Sequence, residues 1–152
     1  MKIMDFLSQN EIIVGLNATD KKSAILELVN VLEKTKKIKK TDEIINVVLE
    51  REKLGSTGIG QGVAIPHGKI DILSEQMGVL GISHKGIEFN SLDGELVHII
   101  FLLLGPLEVA GQHLKALSRI SRLFKDKFLR QAIREAKTTE DVVKIIQQED
   151  IY

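Results

Sequence analysis

Apolar positions recur along this chain at helical and strand periods. Between residues 17 and 37 they fall at Ala24, Ile25, Leu28, Val29 and Leu32, a three-and-four spacing that predicts one buried helix face. Asn17 to Asp20 offer capping side chains just ahead of it. A second helix is predicted over 41–53, with Thr41 as N-cap and Ile44, Ile45, Val48 and Leu49 turned inward. The first six residues read as a short turn of helix and residues 11–16 as a short strand. Two longer strands are predicted over 76–85 and 95–105, separated by a turn signal at 91–95. The second is almost unbroken in its apolar character, as expected of a central strand covered on both faces. The last third reads as helix. Residues 111–124 place Leu114, Leu117, Ile120, Ser121 and Phe124 on one face. Residues 127–136 follow, and 138–148 open on a Thr138-x-x-Asp141 capping pattern. Helices on either side of buried strands predict an α/β fold: a central mixed β-sheet flanked by α-helices on both faces, forming one domain over residues 1–152.

Composition narrows the class. A chain of 152 residues, 43% apolar and 28% charged, has the make-up of a soluble globular domain. Its 21 Lys and Arg balance 21 Asp and Glu, so no overall field draws it to nucleic acid or to a membrane surface. No window of 18 apolar residues exists, and residues 1–13 lack the apolar core of a signal peptide. The absence of cysteine excludes disulfides, thiolate metal sites and a cysteine nucleophile. The expected setting is cytoplasmic, with no nucleic-acid partner and no direct membrane insertion.

The candidate chemistry concentrates in residues 55–69. Gly55, Gly58, Gly60 and Gly62 alternate with Ser56, Thr57, Ile59 and Gln61, and Val63-Ala64-Ile65 then runs into Pro66-His67-Gly68. Pro66 disfavours helix at Ile65, so a short strand over 63–65 is expected to end there and leave His67 just beyond it. Strand ends are common places for functional groups in α/β folds, and exposed glycine-loop amides form anion-binding nests. The spacing alone leaves His67 open between this role and that of an ordinary turn histidine. The loop is neither GxxxxGK[ST] nor GxGxxG between a strand and a helix, which rejects a nucleotide reading. Arg51, near the end of the second helix, suits either the helix dipole or a phosphate-binding fork. His113 sits in the first turn of its helix, where amide dipoles favour the neutral imidazole, but on spacing alone it reads as an ordinary surface histidine. His98 reads as a hydrogen-bonded sheet histidine and His84 as solvent-facing. No HxH, HxxxH or HExxH spacing supports a metal, and no GxSxG elbow supports a serine triad.

The stretch from Arg51 to Lys69, with its Arg-Glu pair, its Gly-Ser-Thr-Gly-Ile-Gly loop and its Ala-Ile-Pro-His ending, resembles the active-site signature of phosphotransferase-system enzyme IIA domains of the fructose–mannitol type. That group includes a nitrogen-regulatory branch. Residues 111–124 are similar to the family's His-Leu-x-x-Leu-x-x-Leu segment. The resemblance implies that His67 accepts a phosphoryl group from HPr or a paralogue, on Nε2. It implies that His113 and Arg51 stabilise the group, and that Thr57, Gly58 and Gly60 belong to a phosphate-binding loop. No metal or other cofactor is expected, since the phosphoryl group is carried covalently. The acceptor would be a IIB domain or a regulated target protein. Pro-His-Gly-Lys at 66–69 is similar to the regulatory branch, where sugar-specific members often carry Ala at the glycine. A sugar-specific IIA, a non-transferring binding module of the same fold and, more remotely, a metal-dependent hydrolase are the alternatives.

Overall fold

The computed structural model describes residues 1–35, 37–39, 41–107 and 111–151. Short 3-10 turns at Ile3–Asp5 and Gln9–Glu11 lead into strand β1 (Ile12–Val14). Helices α1 (Lys21–Lys34) and α2 (Thr41–Leu54) follow, then three short strands, β2 (Gly58–Gly60), β3 (Val63–Ala64) and β4 (His67–Lys69). The long strands β5 (Met77–Ile87) and β6 (Val97–Gly105) precede helices α3 (Gln112–Leu123), α4 (Lys127–Glu135) and α5 (Thr139–Glu149). Among the described residues no helix is long and apolar enough to cross a membrane.

One mixed sheet organises the molecule in the order β1-β5-β6-β3-β2, with β4 also pairing with β6. β5 and β6 are antiparallel, whereas β3 and β4 both run parallel to β6. Side chains on a strand alternate between faces, and β6 obeys this closely. Ile99, Phe101 and Leu103 join the core under α3, α4 and α5, together with Ile120, Ile133 and Ile146. Ile100, Leu102 and Leu104 join the core under α1 and α2, with Leu28 and Val48. A strand buried on both faces has to be continuously apolar, which is why residues 97–104 carry His98 as their sole polar side chain. Each such fully buried aliphatic side chain contributes about 1.5–3 kcal/mol.

The helix boundaries follow from their caps. Asp20, one of the capping side chains anticipated over 17–20, accepts from the Ser23 amide at 2.9 Å and starts α1 at Lys21. Thr138 accepts from the Asp141 amide at 3.1 Å, the capping pattern read in the sequence. Thr41, expected as the N-cap of α2, is instead its first helical residue; the residue before it lies outside those described. Asp150, just after α5, is buried and accepts from the Ile3 amide and from Arg119 Nε, each at 2.6 Å. It pins the first turn of the chain to the last helix.

Two expectations need correction. His67 does not lie beyond a strand but opens β4, pairing with Leu103. Proline has no amide to donate, so Pro66 splits what would be one long strand into β3 and β4. Its carbonyl still accepts from the Leu103 amide at 3.0 Å, so the chain keeps its place beside β6. In α3 the buried face is His113, Ala116, Ile120 and Leu123, with Leu117 half-buried, and Leu114 is 67% exposed. The helix is rotated so that the polar His113 takes the inward position expected for Leu114.

Candidate functional site

The sheet register decides where His67 points. Side chains paired across neighbouring strands stand on the same face, and His67 pairs with Leu103, which faces the α3–α5 layer. Ile65, two residues earlier, lies in that same core. Gly68 pairs with Leu104 and so faces α2, where a Cβ would meet Val47 Cγ1 at 2.9 Å. The glycine beside the histidine lets β4 pack closely on α2.

α3 supplies the second imidazole. Gly111 caps the helix with φ +79°, and His113 follows in the first turn. The rings of His67 and His113 lie side by side, centroids 5.6 Å apart and planes inclined by 53°. Arg51 comes from the other layer, in the last turn of α2, with Nη1 donating to the Gly55 carbonyl at 3.0 Å. The structure thus sets His67 beside His113, while Arg51, from α2 on the other face of the sheet, is near enough for its charge to act on His67.

Hydrogen bonding sets the protonation of both rings. A carbonyl only accepts, so His67 Nδ1–H donates to the Ile65 carbonyl at 2.8 Å and Nε2 keeps its lone pair. Burial pushes the His67 pKa below the ordinary histidine value, and the Arg51 charge pushes it the same way; the Ile65 hydrogen bond and the Glu52 carboxylate act in the opposite sense. His113 is 5% exposed, and burial, assisted by His67 and Lys69, lowers it to about 4. Both imidazoles are neutral at pH 7. The first-turn position of His113 leads to the same neutral state anticipated from the sequence, but burial dominates.

The glycine loop is braced from within. Thr57 donates its amide at 3.2 Å and its hydroxyl to the Glu52 carboxylate, which is 3% exposed and paired with Lys21 Nζ at 3.0 Å. The Gly58 amide donates to Ser56 Oγ at 3.1 Å and the Gln61 amide to Asp93 at 2.8 Å. Gly60 pairs with Val63, at the end of the hairpin away from His67. Of the three loop residues expected to bind phosphate, Thr57 lies nearest, its carbonyl accepting from the Ile65 amide at 3.0 Å. The amides of Thr57 and Gly58 are already committed to Glu52 and Ser56.

Two residues of this site were not singled out as functional from the sequence. Glu52 follows Val48 by four positions and so falls on the apolar stripe of α2; a carboxylate there was a readable signal of a buried polar bond. Gln76, whose Oε1 lies 3.0 Å from His113 Nδ1, gave no such signal. His98 donates from Nδ1 to the Ser83 carbonyl at 2.9 Å, and His84 is exposed, both as read from the sequence. Among the described residues no three His, Asp or Glu side chains converge as a metal ion would require.

Comparison with known proteins identifies the family to which this fold belongs. The family model for "Phosphoenolpyruvate-dependent sugar phosphotransferase system, EIIA 2" matches residues 5–149. A nitrogen regulatory protein of Bradyrhizobium diazoefficiens is 36% identical over 148 residues, covering 96% of this chain and 95% of that protein. A fructose-specific EIIABC component of Bacillus subtilis is 34% identical over 150 residues, and the match spans 99% of this chain but 24% of that larger protein. The crystal structure of the nitrogen regulatory protein IIA-Ntr from Neisseria meningitidis superposes with a TM-score of 0.88 at 32% identity, covering 95% of this chain and 98% of that one. With a family model spanning nearly its whole length and relatives this similar end to end, the chain belongs to the EIIA 2 family of the phosphoenolpyruvate-dependent sugar phosphotransferase system.

Proposed function

We propose that this chain is a phosphoryl carrier that accepts phosphate from an HPr-like phosphocarrier on His67 Nε2, with a nitrogen-regulatory role exerted on partner proteins in the cytoplasm. The observation that carries the reading is the unprotonated Nε2 of a neutral, half-buried His67 set beside a second neutral imidazole. In the transfer step the His67 Nε2 lone pair forms the new N–P bond. The bond from phosphorus to the donor's nitrogen breaks, and its electron pair stays on the donor's imidazole. Such a transition state is loose and anionic, so the protein contributes mainly position and positive charge. The Ile65 carbonyl aims the ring, Arg51 supplies charge, and His113 lines the site. Leu54 at the end of α2, Ile72, Leu107 and Leu114 are exposed apolar residues close in sequence to the site residues, the kind of surface a transient carrier complex uses.

The regulatory reading is supported by the nitrogen regulatory relatives and by Gly68. The fructose-specific relative supports a second reading, in which His67 passes its phosphoryl group to a IIB cysteine. Intact mass after incubation with phosphoenolpyruvate, enzyme I and HPr tests the shared step. One added phosphoryl group is expected, lost in His67→Ala. Full labelling of His67→Ala would refute the site, and no labelling of the wild type beside a working control would leave a binding module of the same fold.

A further inference from the structure

His113 is held from one side. Its Nδ1 lies 3.0 Å from Gln76 Oε1, whereas Nε2, across the ring, is buried with no hydrogen-bond partner among the described residues. An amide oxygen accepts and cannot donate, so the hydrogen sits on Nδ1 and Nε2 carries the lone pair. Gln76 is itself seated by a gap in the opposite strand. Met77 pairs with Leu104 across the antiparallel β5–β6 ladder, which brings Gln76 against Gly105. A Cβ at Gly105 would fall 2.4 Å from both Oε1 and Nε2 of Gln76. The Gly105 backbone is not among the positive-φ positions, so it is space rather than conformation that calls for glycine there.

We propose that Gln76, seated on Gly105, is a positioning residue for phosphoryl transfer, its amide oxygen fixing the orientation and the tautomer of His113 beside the acceptor histidine. This rests on the reading of His67 as the acceptor. With Nδ1–H committed to Gln76, His113 donates to a phosphoryl oxygen only from Nε2, and only after taking a proton there from solvent. In the free protein, burial and the neighbouring His67 and Lys69 keep that proton off. A phosphoryl dianion on His67 reverses the local charge and favours the imidazolium. The Gln76 oxygen serves both states, because Nδ1 keeps its hydrogen throughout, and a ring already aimed needs no reorganisation when the charge arrives.

The test is 15N NMR of the histidine rings in the whole protein, before and after phosphorylation by phosphoenolpyruvate, enzyme I and HPr, alongside transfer rates. In the wild type, Nδ1 is expected protonated and Nε2 bare in the free protein, and both protonated in the phosphoprotein. Gln76→Met keeps the bulk and removes the acceptor. It is expected to release the fixed tautomer and to slow labelling of His67 about tenfold, the loss of one orienting hydrogen bond, without changing the KM for HPr. Gln76→Glu restores an acceptor, and so should restore the tautomer and most of the rate while moving the pH profile upward. Gly105→Ala keeps the amide but displaces it, and should reproduce Gln76→Met; in a Gln76→Ala background it should add no further loss. A free wild-type protein with its hydrogen on Nε2, or a Gln76→Met variant with wild-type tautomer and rate, overturns the proposal. The tautomer is read before any phosphate is added. Failure to label His67 would therefore strike the acceptor assignment and leave this measurement standing.

Discussion

Acid should destabilise this protein through His113 in a calculable way. The ring is buried and neutral, with a folded pKa of about 4 against 6.5 for an ordinary histidine. Below pH 6.5 the unfolded chain binds a proton that the folded protein refuses, so stability rises with pH across this window. The contribution is fully present above pH 6.5 and is lost as pH falls toward 4, where it stops changing. At 1.36 kcal/mol per pH unit the total is roughly 3 kcal/mol, with about two-fifths of it lost by pH 5.5 and about three-quarters by pH 4.5. Against a typical stability of about 5–15 kcal/mol this is large. His113→Gln removes the titrating group and retains a polar side chain within reach of Gln76. Urea unfolding of both proteins from pH 7.5 to pH 4.5 isolates the effect as a difference, because every other titrating group is common to the two. The wild type's advantage over His113→Gln should shrink by about 2–3 kcal/mol on acidification, with m unchanged. His67, also lowered, contributes in the same direction to both proteins, so burial of that ring does not by itself separate them. A difference constant across that range, or an NMR titration of His113 centred near 6.5, would refute the burial argument.

Two further outcomes follow from packing around the site. Glu52→Ala strips the partner from Lys21 and from the Thr57 amide and hydroxyl, and should cost about 3 kcal/mol in urea unfolding while loosening the glycine loop; a loss under about 0.5 kcal/mol would show the buried pair to be incidental. Gly68→Ala drives a Cβ to 2.9 Å from Val47 Cγ1 and 3.4 Å from Val48 Cγ2, and should cost about 1–2 kcal/mol, most of it recovered in the Val47→Ala background; additive losses in the double variant would place the strain elsewhere.

Much of this architecture could be read from periodicity alone because the sheet is covered on both faces. An apolar run as long as residues 97–104 has few other places to go, and the stripes of α1 and α2 point to one layer. The α3 face was misread for a physical reason. Leu114 is the more apolar residue, but His113, donating a hydrogen bond to Gln76 Oε1, takes the inward position against simple hydrophobicity. β4 was missed because a three-residue strand of His, Gly and Lys has no apolar signal; only its partner, β6, makes it a strand. The motif singled out His67, Arg51 and His113, and the structure sets the two histidines side by side. Gln76, Gly105 and the Asp150–Ile3–Arg119 contact were not, since each depends on residues distant in sequence meeting across the fold.

On the proposal that His67 is the phosphoryl acceptor, its seating on a strand, in register with Leu103, bears on the order of events during transfer. A ring carried on a loop could swing from a donor toward an acceptor held at the same time. A ring anchored to the sheet presents Nε2 along one line of approach, so donor and recipient have to occupy the same docking ground in turn. Flux through such a carrier is ping-pong. Any protein that holds the unphosphorylated form also shields it from being charged, which turns occupancy by a target into a brake on the phosphate relay itself.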